Sequence, residues 1–247
     1  MLMAGAWIML PAVLLIGGLI GASGIGGVLL VPVLTNFGAV SLPQAIAAAS
    51  LGFALPALVA LKPMLRQREL VIRCIPLLIG ALVGAVVGAL TVHWLSARTL
   101  MMGVMLLVLF AGWRGLQSPA IAAKPADPLN IPVLFVMGVL VGCGSALTGT
   151  GGPVLIIPLL MLMHQPVSFA IVAAQAIQLP VALASSAVHA LEGRLDFRLA
   201  LIGGLLMLIG AFFGQRAAAG LDVRQLQRMV SIVLLAVGGW FAWVLLA

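Results

Sequence analysis

The sequence predicts an all-α polytopic membrane protein built from two homologous halves of about four membrane segments each. Three observations carry this expectation. Of 247 residues, 64% are hydrophobic and 7% are charged, too little charge to solvate the surface of a soluble domain. The apolar residues come in runs of about 20, the length of helix that crosses a hydrocarbon core. The second half also repeats the first around its glycines and prolines. The mean hydropathy of +1.32 agrees. A water-soluble enzyme is excluded. The 12 Lys and Arg sit in short loops, where they set topology, so the basic balance predicts no nucleic-acid partner.

In chain order, the apolar segments fall at roughly 7–35, 41–61, 71–92, 98–116, 131–163, 167–190, 197–219 and 226–246. The first and fifth are too long for one crossing, and both are interrupted by glycine. The start, MLMAGAWIMLPAVLLIGGLIG, has no charged leader and no small-residue cleavage site, and reads as the first membrane segment. Residues 117–128 (QSPAIAAKPADP) read as a linker between a first repeat at 1–116 and a second at 129–247.

Sliding the second half back by 126 positions puts Pro158 on Pro32, Gly152 on Gly26, Arg194 on Arg68, Gly210 on Gly84 and Gly214 on Gly88. SGIGGVLLVP (23–32) then overlays GTGGPVLIIP (149–158), and GAVVG (84–88) overlays GAFFG (210–214). Leu55-Pro56 matches Leu179-Pro180 with a slip of two. Several matches at one offset make an internal duplication the expectation.

Charge placement bears on topology. With eight full crossings, eight of the 12 basic residues share one side, and the termini are cytoplasmic. If segments one and five dip in and return at their glycines, each half has three crossings and the halves are inverted. One side then holds Lys62, Arg66, Arg68, Arg73, Arg114, Lys124, Arg216, Arg224 and Arg228. That is nine of 12, with the termini outside. The inverted arrangement is favoured by this margin and by its recurrence among transporters with broken helices.

The glycine clusters carry the chemistry. Gly21, Ser23, Gly24, Gly26 and Gly27 lie in one half, and Gly142, Gly144, Thr148, Gly149, Gly151 and Gly152 in the other. Unwinding a helix in lipid is tolerated only where the freed backbone faces protein, water or a ligand. Each cluster precedes a fresh apolar helix, from about Val28 and about Val154, and Pro153 suits a first turn. Each half therefore presents a helix amino terminus, whose free N–H groups attract an anion. Gly84, Gly88, Gly210 and Gly214 are instead expected to allow tight helix crossing. Glu69, Asp127, Glu192, Asp196 and Asp222 all fall in loops, so no buried carboxylate repels an anion. Gln175 and Gln178, three apart on one helical face, offer amide donors that pH cannot remove.

The duplicated glycine-rich stretches SGIGGVLLVP and GTGGPVLIIP resemble those of the sulfite exporter TauE/SafE family of membrane transporters. The following helices match in kind, with AIAAAS (45–50) and AIVAAQ (170–175), as does the loop HALEGRLDFRLAL (189–201). The likeness runs over essentially the whole chain. Ile25 stands where the second copy has Gly151, and Pro153 replaces the last glycine of the family's core. The resemblance implies transport of small sulfur-containing anions or organic acids: sulfite, a sulfonate such as sulfoacetate, or thiosulfate.

The expected substrate-binding residues are Ser23, Gly24, Gly26, Gly27, Ser50, Thr148, Gly149, Thr150, Gly151, Gly152, Gln175 and Gln178. No catalytic residue, metal site or cofactor is expected. The expected partners are a small anion and the lipid bilayer of an inner membrane. An anion channel and a carboxylate transporter remain as alternatives, and oligomeric state stays open. Cys74 and Cys143 read as packed thiols.

Overall fold

A computed structural model describes residues 2–38, 40–58, 68–91, 97–117 and 129–246. Among these the regular structure is helical, without a strand. The order is α1 (Leu2–Ser23), a 3-10 turn (Gly27–Leu29), α2 (Leu30–Phe37), α3 (Leu42–Gly52), α4 (Arg68–Thr91) and α5 (Ala97–Gln117). It continues with α6 (Ile131–Thr148), α7 (Pro153–Leu162), α8 (Val167–Leu191), α9 (Phe197–Ala218) and α10 (Val223–Leu246). The chain is helical again over 54–58. The expected linker lies outside the described residues except for Gln117, which ends α5.

Among the described residues, five stretches are long and apolar enough to cross a membrane: Val71–Thr91, Ile131–Thr148, Phe169–Leu191, Phe197–Ala218 and Gln227–Leu245. Their outward faces are apolar, with Ile72, Ile79 and Leu90 on α4 and Ile131, Val136 and Leu140 on α6 all exposed, as a lipid-facing surface requires. The polar residues mark the ends. Asp196 caps α9 by accepting from the Arg198 and Leu199 amides at 2.9 and 3.0 Å. Asp222 and Gln225 close a reciprocal capping box before α10. Arg194 pairs with Glu192 in the turn between α8 and α9.

Glycine sets which helices meet. Lipid tails are as apolar as side chains, so association relies on close backbone approach. A Cβ on Gly84 would overlap the Val139 carbonyl of α6, and one on Gly142 the Ala81 carbonyl of α4. The same holds for Gly210 against Leu14 and for Gly214 against Gly18, between α9 and α1. The packing role expected for these glycine pairs is therefore the observed one. Gly21 and Gly142, expected among the helix breaks, belong to it as well. Both are helical, and Gly21 lies against the Ala211 backbone.

The direction of each pair follows from these contacts. Gly80 meets Phe135 and Gly88 meets Cys143, so α4 and α6 run parallel. Leu14 meets Gly210 and Gly18 meets Gly214, so α1 and α9 also run parallel. The final helices run antiparallel. Gln227 donates to the Gly115 carbonyl at 2.8 Å, and Gly238 meets Val108 and Leu109.

Gly84→Ala should lower melting stability in detergent by about 1–3 kcal/mol, because the new methyl meets backbone that cannot turn away. Gly203→Ala, with nothing within 4 Å of its Cβ position, should be neutral or slightly stabilising. Equal effects would remove the close-approach account.

Candidate functional site

Each long segment breaks by the same device. In the second half, α6 stops where Gly149 turns left-handed at φ 65° and donates to the Ser145 carbonyl at 2.8 Å. Gly151 and Gly152 follow at φ 78° and 93°, values that disfavour any side chain. Gly152 then caps α7: its carbonyl accepts from Leu155 and Ile156 at 3.0 and 3.1 Å. Pro153 occupies the first turn, as expected, and no side chain caps this end. In the first half, α1 stops at Gly24, φ 76°, whose amide donates to the Ile20 carbonyl at 2.8 Å. Gly26 precedes the 3-10 turn, again without a side-chain cap, and α2 begins at Leu30 rather than near Val28.

These pairings refine the overlay of the halves. At the helix stops, Gly24 matches Gly149 and Ser23 matches Thr148, an offset of 125 rather than 126. Gly26 and Gly152 keep 126 at the helix starts. The second break is one residue longer, and Ser23 does not correspond to Gly149.

The hydroxyls largely serve the backbone. Ser23 donates to the Leu19 carbonyl at 2.8 Å and accepts from the Ile25 amide at 3.1 Å. Thr148 donates to the Gly144 carbonyl at 2.7 Å, and its hydroxyl lies 3.0 Å from that of Thr150. Ser50 donates to the Ile46 carbonyl at 2.9 Å. The amides of Gly26, Gly27, Thr150, Gly151 and Gly152 have no acceptor among the described residues. The Val28 and Val154 amides and the Thr150 and Gly151 carbonyls of the same region are likewise without a partner among the described residues.

The two breaks meet. A Cβ on Gly27 would sit 3.0 Å from the Thr150 carbonyl, and one on Gly24 would sit 4.0 Å from Pro153. Two further helices cover the meeting point. From α3, Ile46 reaches Gly149, and Phe53, just past its end, reaches both Gly27 and Gly151, with Ser50 on the same face between them. From α8, Ala174 reaches Gly24 and Ile177 reaches Gly152. Gln178 follows one turn after Ala174 and is buried, while Gln175 beside it is half-buried.

Sequence reasoning missed Phe53, 1% exposed between the two breaks. Its ring lies 2.8 Å from a Gly27 Cβ position and 2.9 Å from that of Gly151. Pro56 lacks an N–H for the Gly52 carbonyl, and α3 ends at Gly52 before helix resumes. The available signal was the repeat itself. Phe53 and Ile177 each stand three residues before the matched prolines, and each touches a break glycine. No three His, Cys, Asp or Glu among the described residues lie close enough to hold a metal.

The family model for the sulfite exporter TauE/SafE matches residues 9–241. The chain belongs to the sulfite exporter TauE/SafE family. It is thus a membrane transport protein of that family, and the likeness seen in its glycine-rich stretches extends to nearly the whole chain. No curated protein and no solved structure matches it.

Gly151→Ala should cost about 1–2 kcal/mol through its left-handed backbone, with a further cost from overlap with the Phe53 ring. Phe53→Leu should relieve only the second part. A double-mutant cycle read by thermal melting should then give a coupling above about 0.5 kcal/mol, and no coupling would separate the ring from the break.

Proposed function

We propose that this TauE/SafE member moves a small sulfur-containing anion, sulfite or an organosulfonate such as sulfoacetate, across an inner membrane. The anion would bind where the two helix breaks meet. The observation carrying this reading is the set of unbonded amides at Gly26, Gly27, Thr150, Gly151 and Gly152. They lie in an interior whose nearest side chains are apolar apart from the Ser145 hydroxyl. Such donors, at the amino ends of helices and shielded from water, favour negative charge. The acidic residues support it by their placement: Glu69 lies in the first turn of α4, and Glu192, Asp196 and Asp222 lie in turns or caps. Gln175 and Gln178 would add neutral donors from α8, and Ser50 would act from α3. Ser23, Gly24, Thr148 and Gly149 would shape the breaks.

The Phe53 ring covers Gly27 and Gly151 in this conformation. Binding would require the ring to move, and the interruption of the helix at Phe53, where Pro56 leaves the Gly52 carbonyl without its helical donor, supplies the place for it to do so. Alternating access would come from such a movement of one part against the other.

An inverted pair of repeats, 1–116 and 129–247, fits the helix directions. With eight simple crossings, α5 and α10 would be the fourth and eighth passes and would run parallel. If α1–α2 and α6–α7 each turn back, they become the fifth and tenth passes and run antiparallel. The antiparallel contacts of Gln227 with Gly115 and of Gly238 with Leu109 support the second arrangement. Reporter fusions at the C-terminus should then locate it outside; a cytoplasmic C-terminus would contradict the inverted plan.

Thermal stabilisation of the purified protein across sulfite, sulfoacetate, thiosulfate, sulfate and acetate tests the substrate class, since a ligand of the native fold raises stability. Sulfite or sulfoacetate should stabilise most. Stabilisation by acetate alone would favour carboxylate transport. Gln175→Leu should stay folded and bind the anion roughly ten-fold more weakly. Gln175→Glu should bind least, since a negative charge at short range repels the ligand. Unchanged affinities in both would remove Gln175 from the site.

A further inference from the structure

Buried hydroxyls in a helix normally turn back on the carbonyl four residues earlier, which satisfies them where water is absent. Ser23, Ser50, Ser186 and Ser231 do so, as do the less buried Thr35, Thr91 and Thr148. Ser145 does not. It is 1% exposed, and its Oγ has no hydrogen-bond partner. An unsatisfied hydroxyl away from water is costly, so its position calls for a reason.

Ser145 stands one turn before the stop of α6. Its carbonyl takes the Gly149 amide, as the Ile20 carbonyl takes the Gly24 amide. Ile20 and Ser145 are therefore structural equivalents in the two halves. Both side chains approach the glycine that starts the next helix. A Cβ on Gly26 would meet Ile20 Cγ1 at 3.2 Å, and a Cβ on Gly152 would lie 3.9 Å from Ser145 Oγ. In the first break this space is lined by a methylene. In the second it is lined by an unpaired donor, beside the unbonded amides of Gly151 and Gly152 and the uncapped amino end of α7. The first break also bonds its Ile25 amide to Ser23, whereas Gly151, which follows Thr150 in the second, keeps its amide free.

We infer that Ser145 is an anion-binding residue, and that the oxyanion is held chiefly by the second break. There the Ser145 hydroxyl and the amides of Gly151 and Gly152 donate to it. The first break, with Ile20 and the self-bonded Ser23, serves mainly as the wall opposite. This rests on the reading of the breaks as an anion site and adds which half binds and through which side chain.

The test is thermal melting and anion titration of the full chain in detergent with sulfite and sulfoacetate, for the native protein, Ser145→Ala and Ser185→Ala. Ser185 is the other buried serine without a partner. It lies on α8 about 12 Å beyond Ile177 by helical rise. Ser145→Ala should leave the anion-free melting temperature unchanged or raised, since no protein bond is lost. It should weaken anion affinity roughly ten-fold, while Ser185→Ala leaves affinity unchanged. Native affinity in Ser145→Ala overturns the assignment of Ser145 whatever its melting temperature, and leaves the anion site itself standing. Equal weakening in both variants also overturns it, because the effect would then not belong to the break. Absence of any anion-induced stabilisation in the native protein overturns the anion site, and this inference with it.

Discussion

Inside a bilayer every backbone N–H and C=O must find a partner within the protein, because hydrocarbon offers none. The organisation of this chain follows from that requirement. Two segments give up their helical bonding at Gly24–Gly26 and Gly149–Gly152, and both interruptions are enclosed by protein. Each is cut short by a left-handed glycine that closes the preceding helix, and each is followed at once by a new helix start. The breaks lie against each other, with α3 and α8 over them. Among the groups left unbonded by the described residues are the amides at the two helix starts. The chain belongs to the sulfite exporter TauE/SafE family, and the anion site proposed for it is placed here.

The helices around the breaks are held by a second consequence of the same solvent. With no hydrophobic gain from bringing one apolar helix to another, contact depends on how closely backbones approach. Gly80, Gly84 and Gly88 bring α4 onto α6, and Gly210 and Gly214 bring α9 onto α1. In both cases the fourth helix of one half seats the first helix of the other. The glycines that seat helices and those that break them look alike in composition. They are told apart by whether the next residues continue the helix. Gly21 and Gly142 fall in the first class although they stand beside members of the second.

The two breaks share a plan but not a chemistry. Ile20 and Ser145 occupy equivalent positions, as do Phe53 and Ile177 near the matched prolines. One half thus contributes mostly apolar surface and an aromatic cover, the other a hydroxyl and the longer run of unbonded amides. The two breaks form two walls around one space. A few positions distinguish them, and none of the break contacts among the described residues is a charged side chain.

The sequence alone determined the membrane class, the all-helical build, the glycine breaks, the use of Pro153 at a helix start and the packing role of Gly84, Gly88, Gly210 and Gly214. These are local matters of apolar length, backbone freedom and residue spacing, which periodicity and composition express directly. The glycine-rich stretches also pointed to the right family. Tertiary structure decided what depends on residues far apart in the chain. The meeting of Gly27 with Thr150, the Phe53 ring between both breaks, and the antiparallel pairing of α5 with α10 have no local signature. The one-residue slip that pairs Ser145 with Ile20 was hidden because an offset taken from prolines and glycines at the helix starts does not hold at the helix stops. A buried hydroxyl without a partner is likewise invisible in sequence, since satisfaction is a property of neighbours in space.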